Sequence, residues 1–178
     1  MKRLIVSFQT YEFVKYCAGM IIKEPQHEYS VMIVSKDDRR PILDHEQLCK
    51  SAVYEQRRDD LFNICKFLKI KQAYNLGVEP DIINLHKLVA QIQINILVGR
   101  IGEIYYNDHI LLNRIFKTLS SKIPLYRYGD IVDEVSEKEY KLTIKEYDKK
   151  KQLTDFMIGV NSKKEKLYFS YTEKFYKV

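Results

Sequence analysis

Short apolar runs rich in β-branched residues alternate with amphipathic stretches through the first two-thirds of this 178-residue chain. That alternation constrains the fold more than any other feature of the sequence. Residues 3–8 (Arg-Leu-Ile-Val-Ser-Phe) read as a buried strand. Phe13, Tyr16, Cys17, Met20 and Ile21 then recur at helical spacing, which predicts a helix over 12–22 that Pro25 ends. Tyr29–Val34 is a second strand. A helix fits 44–69, with Asp44 as its N-cap. The polar run from Glu55 to Asp60 interrupts its apolar stripe, so two shorter helices are the alternative. Residues 71–76 give a third strand, and Asp81 caps a further helix that carries Ile82, Leu85, Leu88, Val89, Ile92, Ile96 and Leu97 and is closed by Gly99 to Gly102. Residues 103–106 form a fourth strand and a helix follows near 110–120. Beyond a looser segment come a Lys-rich helix near 136–157 and a terminal apolar stretch, Leu167–Phe169.

Strands that alternate with helices pair in parallel, because each crossover helix returns the chain to the same end of the sheet. The expected fold class is therefore α/β, a Rossmann-like three-layer sandwich with a mostly parallel sheet and helices on both faces. One domain spans 1–178, with a Lys-rich C-terminal segment at 136–178.

Several function classes are excluded. No apolar run approaches the roughly 20 residues needed to cross a bilayer. The opening MKRLIVSFQTYEF is too short in its apolar part for a secretory signal, so the expected location is cytoplasmic. The six glycines form neither GxGxxG nor GxxxxGK[ST], and no GxSxG occurs. Cys17, Cys49 and Cys65 make no CxxC pair and read as small buried hydrophobes.

The net charge is +6, and residues 139–178 carry much of the excess, with 10 basic against 6 acidic residues. Lys149-Lys150-Lys151 and Lys163-Lys164-Glu165-Lys166 are either a polyanion-binding patch or a solvated helix face and turn. The richness in Ile, Lys, Asn and Tyr is the coding bias of an AT-rich genome and says nothing of mechanism.

In parallel sheets ligands bind outside the carboxyl ends of the strands. The loops at 8–12, 35–41, 75–81 and 107–113 are therefore the candidate site. They hold Glu12, Asp37, Asp38, Arg39, Arg40, Asn75, Glu79, Asn107, Asp108 and His109, with Asn113 and Arg114 a turn later. His27, His45 and His86 read as surface or helix-cap residues; His109 alone stands at a strand's carboxyl end. A carboxylate with His109 is suited to acid–base or metal chemistry. No HxxxH, HxxH or HxD cluster accompanies it.

The order of these elements resembles the PIG-L/LmbE-like N-acetylglucosaminyl deacetylase family over almost the whole chain. Leu4-Ile5-Val6-Ser7 followed by Phe8-Gln9-Thr10-Tyr11-Glu12 stands where that family has its first strand and an Ala-His-Pro-Asp-Asp-Glu motif. Arg57-Arg58-Asp59-Asp60, running on to Phe67-Leu68-Lys69-Ile70, is similar to its Arg-Arg-x-Glu helix. Ala73-Tyr74-Asn75-Leu76-Gly77-Val78 resembles the next strand and Leu-Gly turn, and Ile104 to His109 the strand before the second ligand motif. Tyr171-Thr172-Glu173-Lys174-Phe175 resembles the closing Glu-x-Phe.

The resemblance implies a Rossmann-like sheet and a hydrolase that removes acetyl from an amino sugar. Its zinc would be held by two His and one Asp, with a second Asp as general base. The chain departs from the pattern at those positions. Phe8 replaces the first histidine, Thr10 the base, Tyr11 the ligand aspartate and Asn113 the last histidine; Glu12 is retained. Arg57 and Arg58 match a helix whose Arg faces substrate in the family, or else they are an exposed helix terminus.

Three readings follow. The first is a non-catalytic pseudo-deacetylase that binds a small ligand or protein partner in a cleft rimmed by Thr10, Tyr11, Glu12, Arg58, Asp108 and His109, with no metal and no cofactor. Its style of sequence would suit a phage or other mobile element. The second is an active metal-dependent N-deacetylase with a rebuilt site using Glu12, Asp108 and His109, and zinc only in that case. The third is binding of nucleic acid or another polyanion by the basic C-terminal segment. No membrane partner is expected.

Overall fold

The computed structural model of the chain describes residues 1–35, 50–78, 87, 90, 92, 100–118, 123–157 and 169–178. Its strands are β1 (Lys2–Ser7), β2 (Glu28–Ser35), β3 (Gln72–Val78), β4 (Glu103–Asn107), β5 (Leu125–Tyr128), β6 (Lys138–Lys141) and β7 (Thr172–Lys177). Its helices are α1 (Thr10–Lys23), α2 (Lys50–Phe67), α3 (Ile110–Thr118) and α4 (Ile144–Lys151), with a 3₁₀ turn at Gln152–Phe156. The strand order is β3-β2-β1-β4-β5-β7-β6. The first five strands are parallel, and β7 runs antiparallel to both β5 and β6.

The sheet is buried on both faces, as parallel sheets are. Ile5 lies opposite Val31 and Tyr105 in the register. These residues pack with Phe13, Cys17 and Met20 of α1, Leu61 and Ile64 of α2, and Leu153. On the other face Leu4, Val6, Met32, Ile104 and Tyr106 pack with Leu112, Ile115 and Phe116 of α3. The alternating side chains of each strand thus feed two cores, which is why the apolar runs read as continuous. The expected α/β three-layer architecture is the one observed.

The first four strands and the helices at 12–22 and 110–120 stand within a few residues of their expected places. The helix expected over 81–97 lies outside the described residues except for Lys87, Ala90 and Ile92, which are helical; Ile92 is buried in the second core. Asp44 and the start of the helix expected over 44–69 also lie outside the described residues, as does Cys49.

The C-terminal third departs from expectation. The looser segment contains β5, and the stretch expected as one Lys-rich helix over 136–157 is β6, then α4, then the 3₁₀ turn. Thr143 stops the strand and starts the helix. Its hydroxyl accepts from the Glu146 N–H while the Glu146 carboxylate accepts from the Thr143 N–H, a reciprocal cap. The chain ends in β7, beyond the expected apolar stretch, of which only Phe169 is described.

Two charged clusters are built into this frame. At the amino ends of the strands, Arg3 bonds Glu24, Glu103 and the hydroxyl of Tyr29. Lys138 and Tyr105 complete the shell of Glu103, at 2.9 Å and 2.8 Å. Burial opposes ionisation of Glu103, but bonds from Lys138 and Tyr105 and the charges of Lys138 and Arg3 outweigh it, so its carboxyl lies below the usual range.

The second cluster ties the C-terminus to α1. Lys150 and Glu173 are 0% and 2% exposed and form an ion pair. In a regular helix the Gly19 N–H would bond the Lys15 carbonyl. Here the Gly19 and Met20 N–H groups donate to Glu173, both at 2.7 Å, and Lys150 donates to the Lys15 carbonyl at 2.6 Å. Gly19 is required by this approach, since a Cβ there would lie 2.7 Å from Glu173 Oε1.

Candidate functional site

The strand order reverses direction between β1 and β4. The chain leaves β1 for α1 on one face and leaves β4 for α3 on the other, which opens a crevice at their carboxyl ends. Ser7 closes β1, and its hydroxyl donates to the Gln9 carbonyl at 2.7 Å, turning the chain into α1. Gln9 caps that helix, and the Glu12 carboxylate accepts from the Gln9 N–H at 3.1 Å. Thr10, Tyr11 and Glu12 form the first turn of α1 and are all half-buried.

Asn107 closes β4 and is buried. With its amide oriented as its neighbours require, it donates to Glu12 Oε2 at 2.9 Å and accepts from the Asp108 N–H at 3.2 Å. One buried amide therefore joins the two loops of the crevice. The Asp108 carboxylate accepts from Asn113 at 2.7 Å and pairs with Arg127 at 3.4 Å, while Arg127 bonds Glu134 at 2.7 Å. Gly129 lets the end of β5 come close: its φ is +148°, and a Cβ there would stand 3.2 Å from the Asp108 Cβ.

His109 stacks on Phe8, with ring centroids 3.8 Å apart and 10° between the planes. Its Nδ1 accepts from the Leu111 N–H at 3.3 Å, so the neutral ring carries its proton on Nε2. Burial lowers its pKa and the Asp108 charge only partly offsets this.

The structure thus brings Glu12, Asp108 and His109, with Thr10 and Tyr11, to one crevice. Among the described residues no contact joins Arg58 to them. Arg58 lies about 12 Å along the axis of α2 from its first residue, exposed, and pairs with Asp59 at 3.6 Å. The side chain of Arg57 lies outside the described residues, as do Asp37, Asp38, Arg39, Arg40 and Glu79. Cys17 and Cys65 are buried, and burial pushes the Cys65 thiol up to about 12, which suits inert core residues rather than nucleophiles.

Arg127, Tyr128 and Gly129 take part in the site without having been expected there. The alternation Leu125-Tyr126-Arg127-Tyr128 after Pro124 was the available signal for their strand. Beside them, at the carboxyl end of β5, is a pocket of about 430 Å³ lined by Lys15, Tyr16, Asp130, Phe169, Thr172 and Tyr176. Lys15 pairs with Asp130 at 3.1 Å across its mouth.

The resemblance implies zinc at the ends of β1 and β4, and the residues present do not fit it. Phe8 has no lone pair and its face is covered by His109. Asn113 offers one neutral oxygen, buried without a hydrogen-bond donor, and its nitrogen is held by Asp108. Among the described residues, no three His, Cys, Asp or Glu side chains converge as a metal-binding group.

No family model matches the sequence, and no curated protein matches it. Solved structures do. N,N'-diacetylchitobiose deacetylase from Pyrococcus horikoshii is 13% identical, with a TM-score of 0.71 over 99% of this chain and 83% of that one. A triple mutant of the deacetylase of the teicoplanin biosynthetic pathway is 10% identical, with a TM-score of 0.73 over 100% and 99%. The 4-carboxy-2-hydroxymuconate hydratase of Pseudomonas putida is 14% identical, with a TM-score of 0.69 over 100% and 96%. These likenesses show the fold that the sequence resemblance implies. The fold hosts both deacetylases and a hydratase, so chemistry has to be argued from the site.

Proposed function

We propose that this chain is a non-catalytic relative of the deacetylases of this fold. It would bind a small ligand or a protein partner at the carboxyl ends of β1, β4 and β5. The observation that carries this reading is the Phe8–His109 stack, which puts two aromatic rings face to face where the resemblance expects a metal and its water. Glu12 is engaged by the cap of α1 and by Asn107, and Asp108 by Asn113 and Arg127, so each carboxylate is held as an acceptor. The neighbouring pocket of about 430 Å³ is within the range that takes a small molecule. The cytoplasm is the compartment this reading assumes, and a phage or mobile-element origin would suit it.

The test is metal stoichiometry by elemental analysis after dialysis against zinc and then metal-free buffer. The expected result is no retained metal and no hydrolysis of N-acetylated amino sugars. A thermal-shift screen of small metabolites should yield a stabilising ligand whose effect is lost in Asp108→Ala or Tyr11→Ala. About one zinc per chain, lost together with turnover in His109→Ala, would instead establish the rebuilt deacetylase.

Polyanion binding by the basic C-terminal segment is the weaker reading. Lys150 is 0% exposed and paired with Glu173, so the run Lys149-Lys150-Lys151 presents two ammonium groups to a polyanion and not three. Salt-sensitive binding of DNA or RNA, lost when Lys149 and Lys151 are neutralised, would revive it.

A further inference from the structure

A second feature lies on a different part of the molecule, at the outer edge of the sheet. β3 ends the strand order and bonds β2 on its inner side; among the described residues no strand pairs with its outer side. A groove of about 480 Å³ lies along this edge, between α2 and the strand, lined by Phe62, Lys66, Ile70, Lys71, Ala73 and Tyr74. Phe62 and Tyr74 are large apolar side chains, yet they are 47% and 43% exposed. Lys66 and Lys71 rim the groove, and Lys69 stands in the left-handed turn between them, with φ +58°. All three lysines are exposed, and among the described residues Lys71 pairs with Glu28 at 3.2 Å.

We propose that this edge docks an extended segment of an acidic protein partner, which adds to β3 as a further strand and seats an apolar side chain in the groove. An edge strand presents a row of unpaired N–H and C=O groups, which proteins otherwise cover or blunt. An added strand lies about 4.8 Å beyond β3 and turns every second side chain towards the α2 side, where the groove opens. Charge selects the occupant. A second copy of this chain would offer Gln72–Val78, a segment without a single carboxylate, and so nothing to match the lysine-rich rim. An acidic segment matches it and gains in association rate as well.

The probe is a fluorescein-labelled peptide, Glu-Leu-Glu-Val-Glu-Leu-Glu, compared with its lysine counterpart by anisotropy on the intact chain. The acidic peptide should bind at least about tenfold more tightly, weaken as salt rises, and slow hydrogen exchange at the outer amides of β3 around Ala73 and Tyr74. Phe62→Ser should lower its affinity about tenfold, and the Lys66→Glu/Lys69→Glu pair, on exposed side chains, should do the same with an unchanged melting temperature. Equal affinity for the two peptides, or binding that leaves the β3 amides unprotected, would overturn the proposal. So would a concentration-dependent dimer in sedimentation that protects those same amides, since the occupant would then be a second copy. None of these results depends on the crevice at the carboxyl ends, so the two proposals fail separately.

Discussion

The two ends of the central sheet hold similar numbers of polar groups and use them in opposite ways. At the amino ends, Arg3, Glu24, Glu103, Lys138 and three tyrosines answer one another in a largely buried network. At the carboxyl ends, the side chains of Thr10, Tyr11 and Asp108 remain partly open, and the imidazole of His109 is held by a ring stack rather than by a charge. Closed charge networks fix a structure, because removing any member strands a desolvated partner. Partly open polar groups beside a cavity are what a ligand can still engage. The difference supports the proposal that binding is at the carboxyl ends, without any appeal to a catalytic group.

The sharpest way to break this comparison is at the amino end. Arg3→Met leaves Glu24 and Glu103 without their guanidinium and should cost about 3–5 kcal/mol in urea unfolding, with ligand binding at the other end retained where the protein folds. A loss under about 1 kcal/mol would remove the idea that this network holds the sheet.

Lys150→Met, which leaves the Glu173 carboxylate buried against α1 without its cation, should cost about 3 kcal/mol by the same mechanism. Gly19→Ala should cost about 1–3 kcal/mol through overpacking against Glu173, read by the same unfolding curves. At the carboxyl end Phe8→Ala should cost only about 1–2 kcal/mol, since the ring is half-buried and its special contact is one stack. An effect as large as that of Arg3→Met would mean that both ends are structural.

The smallest effect is a pH dependence of opposite origin at the two ends. The folded state lowers the pKa of His109 by burial, so between that value and the ordinary 6.5 or so the unfolded chain binds more protons. Stability should therefore fall as pH drops through that window, and His109→Asn should flatten the fall. His27, also lowered by burial and by the Arg3 charge, supplies the remainder. Glu103 has a lowered carboxyl pKa, so its contribution persists through that window and is lost only as pH falls from the ordinary carboxylate range through its lowered folded value. Thermal melts across pH 3–8 on the unaltered chain, His109→Asn and Glu103→Gln separate the two.

The parallel half of the sheet was legible because its strands are buried on both faces and punctuated by turn residues; Leu4-Ile5-Val6 and Ile104-Tyr105-Tyr106 leave little choice. The antiparallel half was not. Lys138-Glu139-Tyr140-Lys141 carries one buried residue in four, and its charge makes it read as part of the lysine-rich helix behind it. The Thr143-x-x-Glu146 capping box marked the true helix start. At the candidate site, Glu12, Asp108 and His109 were readable from their places at strand ends, and so were the substitutions Phe8, Thr10, Tyr11 and Asn113. The roles of Asn107 and Arg127 were not, because each depends on which neighbouring strand lies beside it.

The sequence by itself determined the alternation of elements, the layering that follows from it, and which loops stand at the carboxyl ends of the parallel strands. These are local matters, set by side-chain periodicity and by the direction in which each strand runs. Only the tertiary structure decided that Lys150 is an internal cation, that Asn107 bridges two loops, and that Phe8 covers His109. Each of those depends on groups 23 to 135 residues apart in sequence, or on adjacent strands in register, and no local pattern encodes such a meeting.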